Sequence, residues 1–226
     1  MKICVFADIH GNIDALKKMF LVEKEDTDLF VFAGDVFGYF YNQVDVITAF
    51  MDMPNLLAVK GNHDHYYLSG KRGDYLQGKY GSSYRLTLPA LQREFLCSLP
   101  DTVEINAGGK NICIYHGGPS DFLEQRIYPD TVIRENDLYD GLDYLFVGHT
   151  HYRFSKRIGR TLVINPGSLG QPRDGYGFSY CLITTDTDEW MFKTVDVDVY
   201  KLLGQVKEID GEREVYTYLE RKYRKL

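Results

Sequence analysis

At 226 residues, 44% hydrophobic and 26% charged, the chain is long enough for one large α/β domain with a well-buried core, and a second domain is not required. No apolar run approaches the roughly 18 residues of a membrane span, and a net charge of −6 speaks against a general nucleic-acid binder, which needs a basic face. The four cysteines, Cys4, Cys97, Cys113 and Cys181, form no CxxC pair and are expected to be small buried hydrophobes in a reducing compartment.

Residues 2–7 are mostly apolar, as in a strand buried on both faces. Asp8 interrupts them too early for a signal peptide, so a cytoplasmic protein is expected. Asn12 is placed to cap a helix whose apolar positions Ile13, Leu16, Met19 and Phe20 recur at helical spacing. Leu29–Ala33 reads as a second strand, Val44–Met53 as a helix closed by Pro54, and Leu56–Val59 as a third strand, a βαβαβ opening that favours a parallel sheet. Residues 66–85, rich in tyrosine, glycine and basic residues, read as an irregular cap or rim loop. A helix over Leu88–Leu99 follows, then strands Thr102–Asn106 and Asn111–Tyr115 joined by the hairpin signal Ala107-Gly108-Gly109-Lys110. A helix near Thr131–Tyr139 and a strand Tyr144–Val147 come next. Strands Phe154–Ile158, Thr161–Ile164, Ser179–Thr185 and Trp190–Val197, and a charged helix over roughly Arg213–Tyr223, complete the pattern.

Five strand ends share one grammar: an apolar run, a glycine or short turn, then His or Asp. They are Phe6-Ala7-Asp8-Ile9-His10, Ala33-Gly34-Asp35, Gly61-Asn62-His63-Asp64-His65, Ile114-Tyr115-His116-Gly117 and Val147-Gly148-His149-Thr150-His151. All 6 histidines lie in these motifs. A nitrogen and oxygen donor set without thiolate suits manganese, iron or zinc. The donors are too many for one tetrahedral ion; two ions roughly 3.5–4 Å apart, sharing a carboxylate, account for them better.

Asp8-Ile9-His10, Gly34-Asp35-Val36-Phe37-Gly38, Gly61-Asn62-His63-Asp64, His116 and Gly148-His149-Thr150-His151, in that order, resemble the calcineurin-like metallophosphoesterase superfamily. Asn165-Pro166-Gly167-Ser168 extends the likeness. Residues 165–175 look like its small bacterial and archaeal branch, which includes phosphodiesterases and diadenosine tetraphosphatase-like proteins. The resemblance implies a single domain over residues 1–226, a four-layer α/β/β/α sandwich of two mixed sheets flanked by helices. It implies that Asp8, His10 and His151 hold one divalent ion, that Asn62, His116 and His149 hold a second, and that Asp35 bridges them. Manganese is the first expectation for both ions, with iron, zinc or nickel as alternatives. A water shared by two cations loses its proton near neutral pH and becomes the nucleophile.

His63 is spare in that ligand set and is expected to protonate the leaving oxygen or stabilise charge on it. Asp64 either orients the His63 ring or caps a turn, and His65 is expected at the rim. Arg173 and Tyr39 are candidates for substrate binding, with a surface ion pair and simple packing as their alternatives. The tyrosines and cations of 66–85 are candidates for stacking a nucleobase and holding extra phosphates, or for packing on themselves or a second subunit. Arg126 and Tyr128 are treated in the same way.

The expected activity is hydrolysis of a small phosphodiester or nucleotide polyphosphate. Serine/threonine phosphatases of the superfamily carry Asp-Arg where this chain has Gly38-Tyr39, and the missing arginine argues against that activity. The chain beyond Asn165 is too short for the capping domain of the large repair nucleases. The alternative from another class is a non-catalytic scaffold that binds protein partners, as the retromer subunit resembling this family does. The partner expected is a small phosphorylated substrate, with nucleotides included. Neither a membrane nor an extended nucleic-acid surface is expected, and homo-oligomerisation is left open.

Overall fold

The computed structural model describes residues 1–211 together with 216, 217 and 220. β1 (Lys2–Phe6), α1 (Ile13–Glu23), β2 (Leu29–Phe32), α2 (Gln43–Met51) and β3 (Leu56–Ala58) alternate as the sequence suggests. α3 (Asn62–Ser69), α4 (Gly73–Tyr80), a 3-10 turn (Gly81–Tyr84) and α5 (Ala90–Ser98) lead into β4 (Thr102–Ala107) and β5 (Lys110–Tyr115). After a 3-10 turn at Glu135–Asp137 come β6 (Tyr144–Phe146), β7 (Phe154–Ile158), β8 (Thr161–Asn165), β9 (Phe178–Thr184), β10 (Glu189–Val195) and α6 (Val199–Asp210).

The strands form two mixed five-stranded sheets, ordered β10-β9-β1-β2-β3 and β4-β5-β6-β8-β7. β1, β2 and β3 run parallel in the first, and β5, β6 and β8 in the second. Alternation along β1 shows why the sheets stack. Ile3 and Val5 face the second sheet's Ile112, Ile114, Phe146 and Ile164, whereas Cys4 and Phe6 face the helical layer with Leu16, Met19 and Phe50. Strands buried on both faces carry no polar alternation, which is why these runs read as continuously apolar. The hairpin between β4 and β5 turns on Gly108 (φ 57) and Gly109 (φ 70), the two left-handed positions that such a tight turn demands.

Two expectations fail for physical reasons. Residues 66–85 are mostly helical, not irregular: their buried large side chains are tyrosines (Tyr66, Tyr84) with Leu76, and Tyr67 stacks on Phe37 at 3.8 Å. Phenol rings supply the burial, so no aliphatic stripe marks the helices. Thr131–Tyr139 is not a helix beyond the Glu135–Asp137 turn. Val132 is 81% exposed, while Ile133 and Leu138 lean on the outer face of the second sheet, a distribution no single helical face provides. The segment around it forms the outer layer over Cys113, Leu145 and Val163. α6 was not anticipated, and most of the helix expected at Arg213–Tyr223 lies outside the described residues.

Glu23 fastens α1 to the first sheet. It is 2% exposed, and its carboxylate accepts bonds from the Tyr180 hydroxyl and the Lys193 ammonium, both at 2.7 Å. Burial pushes this carboxyl up, but the two bonds outweigh burial and hold it below its ordinary range. The folded-state carboxyl is therefore the stronger acid. Its contribution is present above the unfolded value, roughly 4.3, and fades as pH falls through the folded one. Glu23→Gln should lower unfolding free energy at neutral pH by roughly 1–3 kcal/mol, and urea melts taken down to about pH 3 should show the gap to wild type closing. A gap that stays constant over that range would contradict this assignment.

Candidate active site

The carboxyl ends of the parallel strands of both sheets meet at one edge, and the chain leaves β1, β2 and β6 there through strained turns. Asp8 (φ 52), His10 (φ 47), Asp35 (φ 72), His149 (φ 68) and His151 (φ 62) all occupy the left-handed region. Each such residue costs of order 1 kcal/mol and persists only where its surroundings over-determine it. Here they do. Asp8 N–H donates to the Gly34 carbonyl at 2.9 Å, and Ile9 and His10 N–H both donate to the Asp35 carbonyl at 3.0 and 3.1 Å. The Ser168 hydroxyl donates to the Asp8 carbonyl at 2.7 Å, and Asn165 Nδ2 donates to the Gly148 carbonyl at 2.7 Å. Asn165-Pro166-Gly167-Ser168 thus braces two of these three turns.

The turns aim ring nitrogens inward. Nδ1 of His10 meets the Phe37 carbonyl, and Nδ1 of His151 meets the Gln171 carbonyl at 2.6 Å. Each carbonyl accepts the Nδ1 proton, leaving bare Nε2 atoms that face each other at 3.2 Å. Asp8 Oδ1 lies 3.4 Å from His151 Nε2 and 4.0 Å from His10 Nε2. Burial holds His10 down to about 3 and His151 well below its ordinary value, so both rings are neutral at neutral pH. The same burial lifts the Asp8 carboxyl well above its usual range.

A second group adjoins the first through Asp35. His116 donates Nδ1–H to the Ala33 carbonyl at 2.8 Å and turns Nε2 to Asp35 Oδ2 at 3.3 Å and Asn62 Oδ1 at 3.0 Å. Burial opposes a charge on His116, yet the Asp35 carboxylate beside it raises the ring to about 9. Asp35 in turn resists its own burial because His116 holds it well below the carboxylate range. His149 is held down to about 3 by burial and by the His116 charge. Asp8, His10 and His151, and separately Asp35, His116 and His149, each bring one donor atom per residue within 4.8 Å of the others.

Of the two readings of Asp64, the turn cap is the one its hydrogen bonds show. Its oxygens accept from the backbone N–H groups of Gly61 and Asp35 (both 3.0 Å), Val36 (2.9 Å) and Phe37 (3.0 Å), tying the Asp35 loop to the start of α3. Burial and the Asp35 charge push this carboxyl up to about 7, against the pull of those N–H groups. Gly61 admits the approach: a Cβ there would stand 2.0 Å from Asp35 Oδ1. The His63 ring instead meets the Tyr84 hydroxyl through Nδ1.

A sequence model of the Calcineurin-like phosphoesterase superfamily domain matches residues 1–188. An uncharacterized protein of Methanocaldococcus jannaschii is 33% identical over 226 residues, an alignment covering 90% of this chain and 91% of that one. This chain belongs to the calcineurin-like phosphoesterase superfamily. Two solved structures share the fold of this calcineurin-like domain. A metallophosphoesterase from Sphaerobacter thermophilus superposes with a TM-score of 0.79 at 24% identity, covering 98% of this chain and 100% of that one. A hypothetical protein from Pyrococcus horikoshii gives 0.82 at 20% identity, covering 96% and 97%.

In this phosphoesterase-family chain the donor cluster floors a cleft of about 210 Å³. Arg72, Lys79, Arg126 and Arg173 line it with Glu124, so the cleft is cationic although the chain is acidic. Tyr66, Tyr75 and Tyr80 complete the wall, with the Arg72 guanidinium 5.0 Å above the Tyr66 ring. These side chains come from α3, α4 and the turn that joins them. Arg173 donates to the Tyr39 hydroxyl at 2.8 Å and to Gln171 Oε1 at 3.2 Å, while Asp174 bonds Arg153 N–H at 3.0 Å. Arg126 Nε donates to His149 Nε2 at 3.3 Å. His65 and Tyr128 do not line the cleft; Tyr128 packs on Tyr152. Tyr84 and the Gln171 carbonyl belong to the site's support and have no sequence signal of their own. Asp64→Asn would turn an amide donor toward N–H groups now bonded to a carboxylate. It should cost roughly 2–4 kcal/mol in urea unfolding, and a loss under about 0.5 kcal/mol would contradict the clamp.

Proposed function

We propose that this chain is a hydrolase of small phosphodiesters or nucleotide polyphosphates that works with two divalent cations. The observation that carries the reading is the pair of bare Nε2 atoms of His10 and His151, 3.2 Å apart, with both Nδ1 atoms committed to backbone carbonyls. Lone pairs directed at lone pairs repel, and a cation between them removes the conflict. The donors fit such ions: the imidazoles of His10, His149 and His151 are already neutral, His116 would give up its second proton on binding, and with two carboxylates, the Asn62 carbonyl oxygen and no thiolate the set suits manganese, iron, zinc or nickel. Asp8, His10 and His151 would hold one ion, Asn62, His116 and His149 the other, with Asp35 shared. Bound there, the ions would lower the pKa of water and neutralise phosphoryl oxygens.

The remaining work falls to the chain itself. Asn62 contributes no charge, which keeps the floor positive enough for a phosphate. Arg173, steadied by Tyr39 and Gln171, is aimed to take a phosphoryl oxygen. Arg72, Lys79 and Arg126 offer charge to further phosphates, and Tyr66, Tyr75 and Tyr80 offer ring faces to a base. The His63 ring, neutral because burial holds it down to about 4, stabilises charge on the leaving oxygen through Nε2. A cleft of about 210 Å³ admits a small ester, not a folded protein. The filled donor set also favours an enzyme over a scaffold.

Purified protein supplied with Mn²⁺ should hydrolyse bis(p-nitrophenyl) phosphate, and metal content and turnover should part in two variants. His63→Ala should lower turnover by roughly 10²–10⁴-fold with metal retained; wild-type rates would remove His63 from the reaction. Asp35→Asn should lose metal by elemental analysis, and full occupancy in that variant would contradict its shared role.

A further inference from the structure

His63 is held from two sides, neither of them Asp64. Its backbone N–H donates to Asp35 Oδ1 at 2.9 Å, and its ring Nδ1 meets the hydroxyl of Tyr84. Tyr84 is 8% exposed and ends the 3-10 turn Gly81–Tyr84, which is itself locked in place. The Asp210 carboxylate, at the last residue of α6, accepts from Ser82 N–H and from the Ser82 hydroxyl, both at 2.8 Å. It also accepts from the Tyr41 hydroxyl at 2.9 Å. A Cβ on Gly81 would lie 2.2 Å from that carboxylate, so the turn and the end of α6 are in direct contact.

An imidazole presents a different face to the cleft according to which nitrogen carries its proton. A phenol walled off from water donates readily and ionises with difficulty. With the Tyr84 O–H donating to Nδ1, the proton of a neutral ring sits on Nε2, and the cleft receives an N–H. The opposite tautomer would turn a lone pair toward the anionic oxygens of a phosphate ester. We propose that Tyr84 is a positioning residue that selects the Nε2–H tautomer of His63, with α6 and Ser82 holding Tyr84 to that task. The inference rests on the reading of His63 as the group that stabilises the leaving oxygen, and adds the device that makes it a donor. No proton changes owner: the Tyr84 hydrogen bond persists while Nε2–H stays on the ring.

The test joins a readout independent of turnover to one that depends on it. In metal-free protein labelled with ¹⁵N at the histidine rings, the His63 signals are those absent from His63→Ala. Wild type should show a protonated Nε2 and a bare Nδ1, and Tyr84→Phe should show a mixture of tautomers. With Mn²⁺ supplied, the aryl methyl phosphates form a series with leaving phenols of falling acidity. Across it Tyr84→Phe should lose roughly tenfold more activity on the phenyl ester than on the p-nitrophenyl ester, the scale of one hydrogen bond. A proton on Nδ1 in wild type overturns the proposal even if Tyr84→Phe does not fold. So does an unchanged tautomer in a folded Tyr84→Phe, or an equal loss across the series. If wild type hydrolyses none of the esters, the phosphoesterase reading fails, and the ring spectra alone decide whether Tyr84 selects the tautomer.

Discussion

Bare imidazole nitrogens facing one another beside buried carboxylates form an arrangement that a protein interior resists unless positive charge is supplied, and the structure shows how firmly this chain enforces it. His10 and His151 have no freedom to turn the nitrogens away, because each Nδ1 is committed to a carbonyl of a rigid turn. His116 answers the same pressure differently. Next to Asp35 it keeps a second proton and becomes the local cation. The two halves of the cluster therefore show two ways of carrying one electrostatic load, joined at a single carboxylate.

The rest of the fold bends to that load. Five residues of the donor cluster sit in left-handed backbone, Gly61 lets Asp35 press against the chain, and Asp64 commits both oxygens to backbone N–H groups. Asn165 and Ser168 brace the floor from the next turn along. Strain of this kind is retained where the surrounding hydrogen bonds over-determine it, and the stacked sheets provide the rigid walls to do so. The 66–84 helices add an outer wall of phenols and cations above the floor of donors.

How much of this was legible can be read from particular residues. The doubly buried strands announced themselves as unbroken apolar runs, and the histidines clustered at their ends, so the sheets and the donor set were both within reach. α6 does carry a local signal: Asp198 caps it by accepting from Lys201 N–H at 3.0 Å, and Leu202, Leu203 and Val206 form its buried stripe. Other features had none. α3 and α4 are buried through tyrosines, which a count of aliphatic spacing ignores, and the apolar residues of 131–139 face different ways once folded. Asp64 and Tyr84 draw their meaning from the Asp35 loop and the His63 ring, 27–29 and 21 positions away in the chain. The pairing of β2 with β3 brings Asp64 to the Asp35 loop, α3 and α4 carry Tyr84 back to His63, and local sequence encodes neither contact.

The central claim is that two cations share Asp35. Electron paramagnetic resonance of metal-free protein titrated with Mn²⁺ tests it most directly, because neighbouring ions joined by a carboxylate couple magnetically and separated ions do not. The account predicts the spectrum of a coupled pair, complete at two ions per chain. The hyperfine pattern of isolated Mn²⁺ at saturation, or no binding at all by the folded protein, would contradict it.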